Sequence, residues 1–139
     1  MNTKQKILNF IDPQIHMVIA TSGPEGQAEA ALVGFANTHD FILIFGTYNT
    51  SRKYKYISHN PHVAVVFGQD EGISVRYEGT ASVLEDEELI EYKKIYFAKH
   101  PTAKIYEHHA EQVYMKITPK WARWIDTTGE IEEISEVLF

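Results

Sequence analysis

Apolar positions near the start of the chain predict one short helix and then a run of strands. Residues 4–11 place apolar side chains on one helical face, and Asp12-Pro13 ends the helix because proline disfavours helical geometry at the preceding residue. Turn-forming residues at 22–26 and 37–40 separate the segments that follow, so we expect short hairpins. Enrichment in β-branched and apolar residues predicts strands over 15–21, 27–36 and 41–46.

The middle of the chain predicts a helix and two more strands. Residues 51–60 have helical spacing, with Thr50 or Ser51 as the N-cap and a proline directly after them. Gly79 lies inside a long strand pattern and indicates a bulge or a close approach of another backbone. The predicted strands cover 62–67 and 73–84, with a loop at 68–72.

The last third of the chain is less regular. Residues 86–100 predict the longest helix, in which acidic side chains come first and lysines last, as the helix dipole favours. Residues 113–118 and 121–126 are either two strands or one strand bent at Pro119. The final eleven residues contain four Glu and no Lys or Arg, and we predict a short helix or a packed tail there.

Short hairpins between most neighbouring strands predict a mainly antiparallel sheet. At this chain length, six or seven such strands close most simply into a small barrel whose gaps are covered by helices. The expected fold class is therefore mainly β, a β-barrel with helices. No repeat or linker divides the sequence, so a single domain over 1–139 is expected.

Composition excludes several classes of chemistry. The 139 residues include 13 Lys and Arg against 19 Asp and Glu, for a formal net charge of −6, and no cysteine. Disulfides, thiolate nucleophiles and cysteine-ligated metals are thus absent, and the acidic balance argues against non-specific nucleic-acid binding. Apolar runs are too short for a bilayer span or a signal peptide, so we expect a cytoplasmic protein without membrane contact.

The segment from 46 to 53 carries the clearest chemical signal, because it joins a buried strand to a helix N-terminus. Free backbone N–H groups and the helix dipole favour an anion there. Hydroxyl donors and positive charge come from Thr47, Thr50, Ser51, Arg52 and Lys53. Spacing alone weighs a phosphate site evenly against a capped helix with a solvated basic first turn. The second interpretation leaves unexplained why the bases oppose the dipole.

Other clusters carry weaker signals. The seven histidines lack metal-ligand spacing, so we expect surface or loop histidines and no metal site. No arrangement of Ser, His and Asp selects a triad, which leaves the catalytic residues unknown. Trp121 and Arg123 share one face of a strand and Trp124 takes the other. For Trp121 and Arg123, the sequence favours two interpretations equally: the side chains pack on the core, or they flank a planar anionic ligand.

The string T-x-x-x-S-R-K at 47–53, followed by N-P-x-V at 60–63 and an apolar strand, resembles the pyridoxamine 5′-phosphate oxidase-like, FMN-binding split-barrel family. The resemblance covers roughly residues 5–100. It implies a six-stranded antiparallel split β-barrel that forms a homodimer, with FMN at the dimer interface.

This resemblance also implies roles for individual residues. The FMN phosphate would be held by Thr47, Ser51, Arg52 and Lys53, and Gly46 would also belong to the cofactor site. The flavin ring would lie, largely through backbone groups, along Ala31, Leu32, Val33 and Gly34. Ser74 stands where the family has a Gln on the long strand, and the partner's flavin would be reached by Trp121 and Arg123.

Departures from the oxidase pattern narrow the expected activity. Ala31 and Ala36 stand where the oxidase has Arg and Lys, and its C-terminal Arg-rich substrate signature is absent. The resemblance therefore implies the short, general-stress-type branch: an FMN-dependent oxidoreductase with an undefined small substrate and a nicotinamide donor. The alternatives are a non-catalytic binder of flavin or haem, a deazaflavin-dependent protein, and an interaction domain without cofactor.

Overall fold

The computed structural model describes residues 1–68 and 71–139, so part of the loop predicted at 68–72 lies outside the described residues. Two short helices alternate with the first strands, a longer helix follows the sixth strand, and a 3₁₀ helix precedes the last two strands. In chain order the elements are α1 (Thr3–Ile11), β1 (His16–Ser22), β2 (Ala28–Gly34), β3 (Ala36–Asn37), β4 (Leu43–Tyr48), α2 (Arg52–His59), β5 (His62–Gly68), β6 (Ile73–Val83), α3 (Asp86–Lys99), the 3₁₀ helix Pro101–Tyr106, β7 (Gln112–Asp126) and β8 (Glu133–Leu138).

A single antiparallel sheet runs in the order β2-β1-β5-β6-β7-β4-β3, and β8 is added to β7. β2 and β3 stand at opposite ends of this order, yet Phe35 alone separates them in the chain. The sheet must therefore curl until its ends meet, which closes it into a barrel. The mainly β, antiparallel split-barrel prediction is confirmed. The described part of the chain has eight strands rather than six, because Phe35 interrupts the predicted strand 27–36 and a C-terminal strand is added.

Burial follows the strand pattern. β1 and β5 alternate buried and exposed positions, as expected of a sheet with one dry face. β4 instead buries three successive apolar residues, because Leu43 and Phe45 face the barrel interior while Ile44 packs under α3. Helix α1 covers the barrel through Ile7 and Ile11, both of which are fully buried.

Gly79 marks a β-bulge, as predicted, because the pairing register between β6 and β7 shifts between Glu78 and Gly79. A Cβ on Gly79 would lie 2.4 Å from the carbonyl oxygen of Thr118, so the site requires glycine. Pro119 lies opposite Gly79 within one continuous strand, β7. One bent strand, rather than two separate strands, is therefore present.

Of the two alternatives predicted for the C-terminus, the helix is wrong: the tail packs along β7 as the strand β8. β4 pairs with the first half of β7 as far as Ile117, which leaves that edge open over residues 121–126. β8 supplies the missing backbone partners, and an unpaired edge is the condition under which a strand-forming tail docks. Among the described residues, no helix has both the length and the apolar character needed to cross a membrane.

Candidate functional site

The turn between β4 and α2 brings two hydroxyl groups together at a helix N-terminus. Thr47 is buried near the end of β4, and its Oγ1 lies 3.0 Å from Oγ of Ser51. Ser51 is the N-cap of α2, since its Oγ accepts the backbone N–H of Tyr54 at 3.1 Å. The pair needs one of its two hydroxyl hydrogens for its own bond, which leaves the other available for a bound acceptor.

Two basic residues, Arg52 and Lys53, begin α2. Arg52 is exposed and Lys53 is half-buried. Within residues 1–68 and 71–139, neither forms an ion pair with a carboxylate, and the first turn contains no acidic residue. Because basic side chains at this position oppose the helix dipole, an anion bound there would relieve an unfavourable local arrangement.

The segment before β7 fixes this turn from outside. Thr50 donates its hydroxyl hydrogen to Glu111 Oε2 at 2.9 Å, and the backbone N–H of Asn49 donates to the carbonyl of Glu111 at 2.8 Å. The rings of Tyr48 and His109 stack with their centroids 4.4 Å apart. Since the Thr50 hydroxyl is bonded to Glu111, the structure removes Thr50 from the hydroxyl donors expected for an anion.

Gly46 makes room for a side chain of β7. A Cβ on Gly46 would lie 2.7 Å from Nε2 of Gln112. That nitrogen donates to the carbonyl of Val113 at 2.9 Å and to the carbonyl of Thr47 at 3.3 Å. The structure thus gives Gly46 a packing role, which allows Gln112 to hold the end of β4.

β2, predicted to lie along the flavin ring, borders the same opening as the phosphate turn. β3 pairs with β4 through Ala36 and Ile44, but no ladder among the described residues joins β2 to the later part of β4. If the β3–β4 register is continued along the chain, Val33 stands opposite Thr47. The split of the barrel therefore lies between the two predicted binding segments.

The four predicted ring-binding residues differ in exposure. Ala31 and Val33 pack partly against the barrel core, whereas the side chain of Leu32 is 69% exposed. Gly34 lies against α3, since a Cβ added there would come within 3.4 Å of the ring of His100. The strand therefore offers one outward apolar side chain and its unpaired backbone edge.

Helix α3 holds the bend between β2 and β3. The buried Phe35 has its carbonyl oxygen 2.7 Å from Nε2 of His100, so the imidazole donates through that nitrogen. The ammonium of Lys99 lies 4.0 Å from the centroid of the Phe35 ring, and burial lowers the pKa of Lys99. These contacts fix the direction of β2 and thereby the position of residues 31–34.

The other half of the sheet holds the remaining candidates, Ser74, Trp121 and Arg123. Ser74 pairs with Ile125 near the end of β7, whereas Thr47 pairs with Val113 near its start. A strand advances about 3.3 Å per residue, so most of the length of β7 separates the two positions. One copy of the chain does not bring these three residues together with the phosphate turn.

Glu136 of β8 binds both Trp121 and Arg123. Its carboxylate accepts the Nε–H of Arg123 at 2.9 Å, a second guanidinium N–H, and the Nε1–H of Trp121 at 3.3 Å. These bonds, chiefly those from Arg123, lower the pKa of Glu136. Trp121 and Arg123 therefore share a face, as predicted, while Trp124 is buried on the other. Sequence reasoning missed Glu136 because its segment was not expected to be a strand.

Two histidines, His100 and His109, make packing contacts in this structure. His109 stacks on Tyr48, and His100 holds Phe35. In the ranges that the structure describes, no group of three or more His, Asp or Glu side chains is arranged to hold a metal ion.

The sequence profile of the family described as pyridoxamine 5′-phosphate oxidase matches residues 3–126. The chain belongs to the pyridoxamine 5′-phosphate oxidase family. The matched region includes every candidate residue from Ala31 to Arg123 and ends before β8. Glu136 and its strand therefore lie outside the part that this chain shares with the family profile.

Individual relatives agree with this assignment. A pyridoxine/pyridoxamine 5′-phosphate oxidase from Bacteroides thetaiotaomicron is 34% identical over 86 residues, which are 61% of this chain and 38% of that protein. The aligned region thus spans well under half of the relative. The general stress protein 26 from Bacillus anthracis strain Sterne has a TM-score of 0.78 at 26% identity, covering 99% of this chain and 100% of that one. A heme binding protein from Mycobacterium smegmatis has a TM-score of 0.83 at 15% identity over 99% of this chain and 59% of that one, which shows a shared fold.

Two residues at which this member of the pyridoxamine 5′-phosphate oxidase family departs from the oxidase pattern, Ala31 and Ala36, are packed in or against the apolar core. Ala36, where the oxidase pattern has a Lys, is 1% exposed and packs in one cluster with Ile44 and Tyr96. A long cationic side chain would not fit there without displacing α3. Ala31, where the pattern has an Arg, packs partly against the core.

Proposed function

We propose that this chain is a flavoprotein that binds FMN, with the FMN phosphate at the turn between β4 and α2. The observation that carries the proposal is the basic start of α2. Arg52 and Lys53 have no carboxylate partner among the described residues, and the hydroxyl groups of Thr47 and Ser51 meet beside them. Membership of the family supports FMN as the ligand.

The chemistry of this donor set fits a phosphate monoester. Such a group carries about −1.5 to −2 charges near neutral pH. Arg52 can donate two parallel N–H bonds, Lys53 adds a second charge, and the first backbone N–H groups of α2 have no partner within the helix. Hydrogen bonds to a charged group contribute about 1.5–3 kcal/mol each. The set would concentrate positive potential at one point of a chain whose net charge is −6.

β2 would position the flavin ring. Its edge facing the split has no ladder partner among the described residues, so backbone N–H and C=O groups there are free to bond polar atoms at the rim of a flat ring. Leu32 would cover part of one apolar ring face. Bound FMN would supply the electron-transfer chemistry, and the chain's part would be to hold the phosphate and to orient and shield the ring.

A second copy of the chain would complete the site. Val18 pairs across the sheet with Leu32 on one side and with Val66 on the other, and the three are 38%, 69% and 46% exposed. Contiguous apolar surface of this kind marks a protein contact. Since one copy keeps Ser74 and Arg123 away from the phosphate turn, they would contribute to the flavin site only from a partner subunit.

Oligomeric state tests the proposed dimer. We expect sedimentation to give about twice the chain mass of 15.9 kDa, and Leu32→Lys to shift the protein towards the monomer. Ile131→Lys makes the same kind of change at an exposed apolar residue in the loop before β8 and should leave the mass unchanged. A stable monomer that binds FMN with wild-type affinity would contradict a site shared between subunits.

The proposed reaction class is oxidoreduction of an undefined small substrate, with a nicotinamide as the electron donor. The family membership and the phosphate-binding turn support this class. No side chain of this chain is assigned a catalytic role in this proposal. Turnover of reduced nicotinamide by the FMN-loaded protein would distinguish an enzyme from a carrier.

The absorption spectrum of the purified protein, before and after reconstitution with FMN, tests the proposed ligand. We expect flavin bands, and their loss in Arg52→Ala/Lys53→Ala. Lys4→Ala/Lys120→Ala removes equal charge elsewhere and should keep them. Failure to take up FMN would contradict the proposal. A haem band without flavin uptake, or displacement of FMN by a deazaflavin at lower concentration, would assign the site to another cofactor.

A further inference from the structure

A cavity of about 600 Å³ lies between α3 and the 3₁₀ helix that follows it. One face of α3, between residues 89 and 98, forms its floor. The chain from Pro101 onwards folds back over this face. Its lining includes Leu89, Ile90, Phe97, Ala98 and Pro101. None of its lining residues belongs to β2 or to the turn between β4 and α2, so this groove is separate from the proposed FMN site.

The floor of the groove is apolar and open to solvent. Ile90 is 61% exposed, although Phe97 beneath it is buried. A volume of this size is in the range that small-molecule sites occupy, about 300–1,000 Å³. Water over such a floor is readily replaced by an apolar group.

The rim of the groove is positive in an otherwise acidic chain. Lys93, Lys94 and Lys104 line it together with one carboxylate, Glu107. Lys93 bonds Glu107 at 2.9 Å, and this hydrogen bond lowers the pKa of Glu107. Within the described ranges, Lys94 and Lys104 form no ion pair. Two ammonium groups without a carboxylate partner in this part of the structure thus lie beside exposed apolar surface, and that of Lys104 lies 5.9 Å from the centroid of the Phe97 ring.

A smaller cavity of about 200 Å³ shares three of these lining residues, Leu89, Lys93 and Glu107. It continues towards Gln112 and Tyr114 on β7. The Lys93–Glu107 ion pair therefore borders both spaces. The three lysines and one glutamate that line the groove together carry a net charge of about +2.

We infer that the groove binds an amphipathic anion, a single-chain carboxylate whose apolar body covers Ile90 and Ala98 while its head group bonds Lys94 and Lys104. Both halves of the inference come from complementarity: exposed apolar surface calls for an apolar body, and the two unpaired ammonium groups call for a negative head. A neutral apolar ligand would leave the lysines unused, and a free inorganic anion would leave the floor exposed.

Titration with decanoate, followed by calorimetry and by amide NMR shifts, tests this inference on the full chain. We expect saturable binding with shifts confined to α3 and residues 101–107. Lys94→Glu should weaken decanoate binding about tenfold or more, since charge reversal removes one attraction and adds one repulsion. The matched control Lys4→Glu makes the same charge change on α1 and should leave the affinity unchanged.

Ala98→Trp fills the groove at an exposed helix position and should abolish binding without loss of helical signal. Absence of saturable binding, or equal affinity in wild type, Lys94→Glu and Ala98→Trp, would overturn the inference. A change of sedimentation mass in Ala98→Trp without decanoate binding in wild type would assign the groove to a second copy of the chain and would also overturn it. FMN uptake is measured separately, so failure here would not bear on the proposed flavin site.

Discussion

The side-chain oxygens of Thr47 and Ser51 lie 3.0 Å apart, and Ser51 also caps the helix that follows. The hydroxyl of Ser51 thus stabilises α2 and is also part of the proposed phosphate site. A substitution that separates these two roles tests whether the turn is more than a well-capped helix start.

Ser51→Asp is that substitution. Aspartate is as good an N-cap as serine, so the free energy of unfolding, measured with urea, should stay near that of wild type. Its negative charge would repel the FMN phosphate, so FMN affinity should fall by more than about tenfold. Ser51→Ala should instead lose about 1 kcal/mol of stability through the missing cap. Wild-type FMN affinity in Ser51→Asp would place the phosphate elsewhere.

Gly79→Ala should destabilise the barrel at the bulge. The added Cβ would lie 2.4 Å from the carbonyl oxygen of Thr118, and relieving that overlap should cost about 1–3 kcal/mol. Gly129→Ala is the control, because its Cβ would have no neighbour closer than 3.7 Å, and its effect should stay within about 0.5 kcal/mol. Equal urea midpoints for the two variants would show that the bulge tolerates a side chain.

Tyr77→Phe should destabilise the protein at neutral pH and flatten its stability at high pH. The buried hydroxyl of Tyr77 lies 2.8 Å from the carbonyl of Phe41, a non-glycine residue with φ of 67°, and 3.1 Å from that of Ile117. Loss of this donor should cost about 1–2 kcal/mol.

Burial raises the pKa of Tyr77, so the folded state keeps its proton where the unfolded state loses it. Stability should therefore fall as pH rises above about 10, the ordinary pKa of tyrosine. This fall, measured from urea midpoints at alkaline pH, should be smaller in Tyr77→Phe. An identical fall in both proteins would contradict the burial of an intact phenol at this position.

Glu136→Gln should remove an acid-dependent contribution to stability. Arg123 lowers the pKa of Glu136 in the folded state, so the contribution is fully present above the ordinary glutamate pKa of about 4.3 and is lost as pH falls through the lower folded value. We expect the urea midpoint of wild type to drop more steeply with acid than that of Glu136→Gln. Glu130→Gln, in the loop before β8, is the control. Parallel profiles for all three would show that the Arg123–Glu136 pair contributes nothing.

Local patterns in the sequence were enough to predict much of the fold. The strands β1 and β5, an N-cap at Thr50 or Ser51 and the bulge at Gly79 each depend on a few neighbouring residues, and the structure has all of them, with Ser51 as the cap. The clustering of Thr47 with Ser51 was predictable for the same reason, since only three residues separate them across one turn.

Long-range partners could not be predicted in this way. Glu136 meets Arg123 because β8 fills an edge that β4 leaves open, and that edge exists only once the sheet is formed. Glu111 accepts a hydrogen bond from the hydroxyl of Thr50, although the two residues are 61 positions apart in the sequence. Phe35 breaks an apolar strand pattern because the barrel must close there, a requirement of the whole sheet rather than of the segment.

Comparing FMN with riboflavin in one titration tests the central claim most directly, because the two ligands differ only in the phosphate. If Thr47, Ser51, Arg52 and Lys53 hold that group, FMN should bind at least about 100-fold more tightly than riboflavin, the equivalent of two charge-assisted hydrogen bonds. The preference should collapse in Arg52→Ala/Lys53→Ala. Equal affinity for FMN and riboflavin in wild type, or an undiminished preference in the double variant, would contradict a phosphate site at the start of α2.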